Sequence, residues 1–250
     1  MKHLHRPHLQ LQDALNLRRR RLRVQNSGLA GRSLRTYARG EWKKYRQHPD
    51  ATGVLSELER MAGYRERCMY CQDSLSAEVE HYMPIAEDPN SAFVWGNLLW
   101  ICGRCNRKKL DKFPRTPSGL PLLIDPTQRD PWLHLFMDSG TGVITPKYDA
   151  SSGLEDPFGL ATLEVISVLG HEAVIEGRLQ TINRLRRAAR RFLASGNRSD
   201  ATDLHREIHE DAFGVARWFL VYEGRGESTW TELRMQHPRL WRRAVSRSMR

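Results

Sequence analysis

The chain has 250 residues, of which 40% are hydrophobic, and it carries a formal net charge of +11. This length is enough to bury a sizeable core, and no apolar run approaches the roughly 20 residues that a membrane-spanning helix needs. The first residues also lack the apolar stretch of a secretory signal, so we expect a cytoplasmic protein without a membrane partner.

Basic residues are concentrated at the two ends of the chain. Residues 1–50 contain 13 Lys and Arg against 3 Asp and Glu, and residues 225–250 contain 7 against 2, whereas 51–224 contains 20 against 24. Such ends favour a polyanion, most often nucleic acid, over a solvated helix face or an acidic partner protein. The densest basic run supplies the expected nucleic-acid contacts, Arg18, Arg19, Arg20 and Arg21.

Hydrophobic spacing predicts a mainly helical chain with a different middle. We expect helices over 9–48, 54–65, 159–194 and 201–222, and a last helix that begins at Pro238, because proline is tolerated in a first helical turn. Residues 66–115 are typical of short strands and turns, and "HLFMDSGTGVITP" predicts a hairpin around Gly140 and Gly142. The expected regions are a basic helical region (1–60), a central core (61–115), and a hairpin followed by helices (116–250).

All four cysteines of the chain fall into two pairs of identical spacing. Cys68 and Cys71 with Cys102 and Cys105 form the pattern C-x2-C-x30-C-x2-C. Each pair offers two thiolates to one ion, and two pairs complete a tetrahedral zinc site. Four thiolates leave no open coordination position, so we expect a structural Zn²⁺.

The segment between the pairs predicts a strand, a loop and a second strand, followed by a helix. "AEVEHYMPI" and "NLLWI" have the composition of strands, and "NRKKLDKF" after the second pair is typical of a helix. A single metal would clamp this small α+β core from both ends.

Residues 68–109 resemble an HNH endonuclease with the ββα-metal fold in its four-cysteine form. The resemblance is carried by "CMYC", "EHYMP", "NLLWICGRCN" and "NRKK". It implies a small zinc-stapled ββα-metal (HNH) core. Together with the predicted helices, we expect an α+β, mainly helical chain around this core. The resemblance also implies that His81 is the general base, that Asn97 orients this base, and that Glu80 and Asn106 hold a catalytic divalent ion.

The chemistry of these residue types agrees with phosphodiester hydrolysis. A neutral imidazole suits the removal of a proton from water, and oxygen ligands suit Mg²⁺ or Mn²⁺. We expect Glu80, His81 and Asn106 to converge, although adjacent strand residues face opposite ways unless the strand bends or ends. Glu78 lies on the strand face of Glu80 and is a reserve ligand. The basic side chains that follow the last cysteine are expected to contact phosphates, namely Arg107, Lys108 and Lys109.

A wider similarity over 70–190 resembles the HNH proteins of Septu-type and retron-type antiphage systems. It implies a DNA nuclease, with RNA as the alternative substrate, that works beside a partner ATPase. A retron-type system would add a complex of reverse transcriptase and RNA. The ATPase is expected in a separate chain, because the sequence contains no G-x-x-x-x-G-K-[ST] motif.

Simpler interpretations exist for the same residues. Asn97 also suits a turn after Gly96, and Asn106 suits the start of a helix. A non-catalytic zinc module that binds nucleic acid is the alternative function. A zinc deaminase is disfavoured, because that class needs H-x-E and an open zinc shell, and Met83 lies where the glutamate would be.

Overall fold

A computed structural model of the chain describes residues 1–63, 65–73, 75 and 78–249. The described residues form ten α-helices and three two-stranded antiparallel sheets, which confirms the predicted α+β class. The helices are α1 (Leu11–Gln25), α2 (Gly31–Tyr45), α3 (Thr52–Ala62), α4 (Gly103–Lys109), α5 (Pro157–Val165), α6 (Glu172–Ser195), α7 (Arg198–His209), α8 (Val215–Val221), α9 (Ser228–Gln236) and α10 (Pro238–Ser248). The strands are β1 (Glu78–His81), β2 (Leu98–Ile101), β3 (Leu135–Met137), β4 (Ile144–Pro146), β5 (Tyr148–Asp149) and β6 (Leu154–Glu155).

The predicted strand–loop–strand–helix order is present between the cysteine pairs. β1 pairs with β2 in antiparallel register, with Glu80 opposite Leu99 and His81 opposite Leu98. α4 follows β2 directly and contacts β1. β2 is buried on both faces, because α3 packs on it as well. The two strands and α4 therefore form one small layered unit.

Three long helical predictions are each divided into two helices. The run 9–48 is broken between α1 and α2, where Gly28 has a φ of +70° that favours glycine. The run 201–222 is broken between α7 and α8, where Gly214 has a φ of +73°. The run 159–194 becomes α5 and α6, joined by the short turn Ser167–Gly170. α10 begins at Pro238, as predicted, and the hairpin is formed by β3 and β4.

Side-chain caps fix the starts of α5, α6 and α7. Asp156 accepts hydrogen bonds from two backbone N–H groups at the start of α5, and His171 and Asn197 each accept one at the starts of α6 and α7. Such caps satisfy backbone donors that have no partner inside the helix. The local sequence therefore sets where these three helices begin.

The N-terminal residues pack on the central unit. Leu4 donates its backbone N–H to the carbonyl of Pro126 at 2.8 Å. The Arg6 guanidinium donates to the carbonyls of Trp95 and Leu98, both at 2.8 Å. The indole of Trp95 donates in turn to the carbonyl of Pro7. These contacts connect residues 1–10 to the end of the loop that precedes β2, and the three-region division of the chain stays a prediction.

The C-terminal helices form the rest of the core. α6 packs against α7, α8 and α9, and α10 packs against α7, α8 and α9. The apolar face of α6 lies inward, with Ile182, Leu185, Ala189 and Phe192 buried. No helix among the described residues combines the length and apolar character needed to cross a lipid bilayer.

Candidate functional site

The four cysteine sulfurs converge in one buried cluster. Cys68 and Cys71 lie in the turn region after α3, and Cys102 and Cys105 lie at the end of β2 and in α4. A hydrogen bond from the Met69 backbone N–H to the Trp100 carbonyl, at 3.0 Å, joins the first pair to β2. The four sulfur atoms lie within 4.8 Å of one another. The predicted convergence of the cysteines is therefore confirmed.

The dimensions of this cluster fit zinc. Zn–S bonds of about 2.3 Å in a tetrahedron place neighbouring sulfurs about 3.8 Å apart. The Cys71 and Cys102 sulfurs are separated by 3.8 Å, far longer than a disulfide of about 2.05 Å. The Cys102 sulfur also accepts a hydrogen bond from the backbone N–H of Cys105, as metal-bound cysteines at a helix start can. A four-sulfur shell of this kind holds an ion for structure rather than for catalysis.

One face of β1 lies against α4 and presents carboxylates to it. The Asn106 side-chain amide donates a hydrogen bond to the carboxylate of Glu78. This pairing leaves the carbonyl oxygen of Asn106 as the atom that suits a hard cation. The reserve ligand Glu78, rather than Glu80, is thus the carboxylate in contact with Asn106.

Glu80 is engaged by a buried lysine. The Lys109 ammonium is 2.6 Å from a Glu80 carboxylate oxygen and donates to the His81 carbonyl at 2.8 Å. Lys109 is fully buried, and burial lowers its pKa while Glu80 opposes that shift. Burial likewise raises the pKa of Glu80, and Lys109 opposes that shift. The two side chains therefore neutralise each other's charge. The prediction that Lys109 contacts phosphates is wrong for this arrangement, because its side chain is buried.

His81 faces the opposite side of β1. Its Nε2 is 2.9 Å from the carbonyl oxygen of Ala92, and the Trp42 ring packs on it edge-on, with 4.7 Å between the two ring centres. A carbonyl oxygen only accepts hydrogen bonds, so Nε2 carries the proton and Nδ1 has the free lone pair. Burial lowers the pKa of His81 to about 4, which keeps the ring neutral near pH 7. The side chain is therefore a neutral base, yet only 7% of His81 is exposed.

The structure does not bring the predicted catalytic trio together. Glu80 faces α4, the helix that contains Asn106, whereas the His81 ring faces α2. The reason is the alternation of a regular strand, since β1 extends through His81 before the chain bends. The expectation that Glu80, His81 and Asn106 converge is therefore wrong for this arrangement. The roles of the individual residues stay predictions.

Asn97 organises the loop that carries the partner of His81. Its side-chain carbonyl accepts from the Met83 backbone N–H at 2.7 Å. Its amide donates to the Met83 carbonyl at 3.0 Å and to the Ser91 carbonyl at 3.2 Å. Asn97 therefore ties Met83 to Ser91 within the loop between β1 and β2. Ala92, whose carbonyl contacts His81, is the residue after Ser91. Any orientation of the His81 ring by Asn97 acts through this loop.

A basic groove lies beside α4. Arg107 and Lys108 are exposed, as predicted for phosphate contacts, and together with Arg104 they line a groove that ends at His171. Sequence reasoning missed Arg104, although its spacing from Arg107 and Lys108 places all three on one helix face. The spacing also indicated that Lys109 faces inward, because it lies four residues, about one helical turn, after the inward-facing Cys105.

The predicted basic run on α1 is divided between solvent and core. Arg18, Arg19 and Arg21 are exposed. Arg20 instead lies 3.6 Å from the Glu41 carboxylate, with its guanidinium 5.6 Å from the ring centre of Tyr45. Three of the four predicted arginines are therefore available to a polyanion.

Comparison with known proteins agrees with this site over a limited span. Residues 68–112 match the family model of the HNH endonuclease. The chain is also similar to the Septu protein PtuB of Bacillus thuringiensis, with 37% identity over 76 residues, or 28% of each chain. The chain thus aligns with less than a third of the length of this curated relative. Residues 68–112, the span that matches the family model, contain all four cysteines together with Glu80, His81, Asn97 and Asn106.

Proposed function

We propose that the protein is a metal-dependent endonuclease that hydrolyses DNA phosphodiester bonds. The premise is that residues 68–112 are an HNH endonuclease module of the Septu type. The observation that carries this proposal is the state of His81. The ring is neutral, its Nε2 proton is directed at the Ala92 carbonyl, and its Nδ1 is left as a base. Neutral imidazole of this kind suits the activation of water.

The proposed reaction begins with a water molecule near Nδ1 of His81. Nδ1 accepts a proton as the water oxygen attacks the phosphorus atom and the bond from phosphorus to the leaving oxygen breaks. The Ala92 carbonyl stabilises the resulting imidazolium through its bond to Nε2. Asn97 holds the loop that presents Ala92, and the zinc cluster holds the ends of the two strands.

The oxygen atoms that we propose as ligands of a catalytic cation lie on the α4 side of β1, opposite the His81 ring. Hydrolysis through both groups therefore requires the chain around His81 to rearrange, so that the ring and the cation reach one phosphate. A bound Mg²⁺ or Mn²⁺ would stabilise negative charge on the phosphate and the leaving oxygen. We assign Asn106 and Glu78 as the pair already in contact, and Glu80 as the ligand that joins after exchange of its bond to Lys109. Carboxylate and amide oxygens are the donors that these hard ions prefer.

His81→Ala is the test of the nuclease proposal. With Mg²⁺ or Mn²⁺ present, we expect the variant to cut supercoiled plasmid at least about 100-fold more slowly than the unaltered protein, because a general base contributes 10²–10⁴-fold. His8→Ala removes an exposed histidine of the N-terminal region and is the matched control. Zinc content and melting temperature are measured for both variants. Equal cutting by His81→Ala would remove His81 from the mechanism.

A second candidate function is a zinc-stapled module that binds nucleic acid without cutting it. The observation in its favour is the closure of the site, with His81 under Trp42 and Glu80 bound to Lys109. Under this alternative the protein binds DNA with the same affinity whether His81 or alanine is present, and no divalent ion produces cutting.

The partners are proposed from the resemblance alone. A Septu-type protein would act in antiphage defence beside a partner ATPase, and a retron-type protein would also meet a reverse transcriptase and its RNA. ATP-dependent plasmid cutting by the complex that purifies with the full chain would support the ATPase. Cutting at the same rate with and without ATP would argue against it.

A further inference from the structure

α10 carries a row of exposed arginines that the proposed nuclease site does not use. Arg239, Arg243 and Arg247 are spaced four residues apart, so they lie on one side of the helix at steps of about 6 Å. The opposite side of α10 is buried through Trp241 and Ala244. We call the three arginines the α10 row.

The α10 row is not neutralised by carboxylates. On the neighbouring helices, arginines are paired: Arg184 lies 3.6 Å from Glu207, and Arg206 lies 2.7 Å from Asp203. Asp203 and Glu207 of α7 are thus occupied by other arginines. Asp200, the third acidic residue of α7, accepts hydrogen bonds from Ser195 and Asn197. Within residues 1–63, 65–73, 75 and 78–249, no carboxylate oxygen lies within ion-pair distance of the α10 row.

Cation-lined grooves lie on both sides of the row. One groove, between α7 and α10, is lined by Arg239 and Arg243 together with Arg198, and by two histidines. None of the residues that line it is acidic. A groove of this composition has no internal counter-charge, and Arg198 adds a third exposed guanidinium to it.

The second groove continues from Arg247 towards the N-terminal residues. It is lined by Arg247 and Lys2, and its acidic residue is Asp211. Arg217 also lines it, but this side chain is buried and pairs with the Asp130 carboxylate at 2.6 Å, so it adds no free charge. The Asp211 carboxylate is buried and accepts hydrogen bonds from the backbone N–H groups of Phe213 and Ala216. It is therefore directed into the protein rather than at the row.

The state of His205 indicates that the field of the row reaches into the first groove. Burial lowers the pKa of His205, and Arg247 and Arg243 lower it further. Its Nε2 is buried without a hydrogen-bond partner among the described residues. The positive charges of α10 therefore already act on a ring in the groove.

We propose that the α10 row and its grooves bind the phosphate backbone of nucleic acid, as a contact surface outside the 68–112 module. Guanidinium groups form strong charge-assisted hydrogen bonds with phosphate oxygens. An acidic protein is the less suitable partner, because the centres of protein interfaces are depleted of charge and rich in apolar side chains. The choice of DNA as the ligand rests on the proposed function, whereas the unpaired charge does not.

The test compares two triple variants of equal net charge. Arg239→Ala/Arg243→Ala/Arg247→Ala removes the row, and Arg60→Ala/Arg191→Ala/Arg206→Ala removes three exposed arginines that pair with carboxylates elsewhere. Binding of the full chain to a fluorescent DNA duplex is measured by anisotropy from 50 to 300 mM salt, without a divalent ion. Equal melting temperatures establish that both variants are folded.

We expect the row variant to bind roughly 10- to 100-fold more weakly at about 100 mM salt, and its slope of log K against log salt to fall by about 2 to 3. The control variant should keep the slope of the unaltered protein within about one unit. Equal loss in both variants, an unchanged slope in the row variant, or no DNA binding by the unaltered protein would each overturn the proposal. A failure of the nuclease proposal would appear instead in plasmid cutting, with this binding difference intact.

Discussion

Lys109 shows how one buried charge can fix the local arrangement of a site. Its ammonium donates to the Glu80 carboxylate and to the His81 carbonyl, so it spans both residues at the end of β1. A buried ion pair adds little net stability over apolar groups, but removal of one partner leaves the other charge buried and uncompensated. The pair is therefore more important for where Glu80 points than for the total stability of the fold.

This arrangement predicts that replacing Lys109 alone destabilises the protein more than replacing Lys109 and Glu80 together. Lys109→Met should lower the free energy of unfolding by about 3–5 kcal/mol, because Glu80 loses its counter-charge. Glu80→Gln together with Lys109→Met should recover most of that loss. Lys112→Met is the control, since Lys112 is exposed. Denaturant unfolding is the measurement, and equal stability of the single and double variants would contradict a coupled pair.

The inward position of Lys109 was accessible from the sequence, whereas that of His81 was not. Helical spacing places Lys109 on the side of α4 that carries Cys105, and a zinc ligand must face inward. The neighbours of His81 come from α2 and from Ala92, and no local pattern indicates which helix will cover a strand. Strand alternation alone predicted that Glu80 and His81 would face opposite ways.

At the scale of elements, α2 is the cover of the His81 ring. Trp42 contacts His81 edge-on at 4.7 Å and Phe93 at 5.6 Å between ring centres. Tyr45, one turn further along α2, contacts Phe93 as well. The aromatic side chains of one helix thus exclude water from one face of β1.

Shortening Trp42 should expose the histidine. In Trp42→Leu we expect His81 to react with diethyl pyrocarbonate several-fold faster than in the unaltered protein, because the reagent attacks accessible neutral imidazole. Tyr37→Leu changes the same helix and is the control, since Tyr37 is only partly buried. Peptide mass spectrometry reports the modification of each histidine. Equal, slow modification of His81 in both variants would mean that α2 does not limit access.

The cysteine cluster is the element that we expect to hold β1, β2 and α4 together. Removal of zinc by a chelator should lower the melting temperature by more than about 10 °C, because zinc binding supplies folding free energy directly. Elemental analysis should find one zinc per chain before treatment, and added Zn²⁺ should restore the melting temperature. An unchanged melting temperature after complete zinc loss would show that the apolar core alone suffices.

Local signals therefore predicted most elements, and long-range contacts account for most of what was missed. The spacing of the cysteines and the strand composition between them predicted the zinc cluster, β1 and β2. Glycines with positive φ divided the long helical runs, and helical periodicity alone cannot register such breaks when they are short. The packing of residues 1–10 on the loop before β2 depends on partners about 90 to 120 residues away, which no local pattern contains.

Across the whole molecule, the basic N-terminal region is part of the folded core. The N-terminal region contributes buried side chains to the core, including Leu17, Val24 and Trp42, so it is not a detachable arm. Deletion of residues 1–50 would therefore remove core as well as charge. Point substitutions on α1 separate these two effects.

Arg18→Ala/Arg19→Ala/Arg21→Ala should weaken DNA binding and lower the salt slope by about 2 to 3, because each exposed arginine can release one counterion from the duplex. Arg20→Ala is the control on the same helix. It should change the salt slope by much less and act on stability instead, since Arg20 contacts Glu41 and Tyr45. Anisotropy titrations at several salt concentrations decide between them, and equal slopes for all variants would assign α1 another role.

The position of α2 also bears on turnover. If the protein cuts DNA through His81, the molecules able to react are those in which the indole has withdrawn and the imidazole meets solvent. The measured rate then equals the intrinsic chemical rate multiplied by the fraction of such molecules, so a fraction of about one in a hundred would slow cutting about a hundredfold. α1 and α2 are consecutive helices in contact, so a ligand that binds α1 can act on α2. If it binds the withdrawn form more tightly, it raises the fraction of reactive molecules in proportion to that difference in affinity. The first step of catalysis would then be the equilibrium between the covered and the withdrawn form.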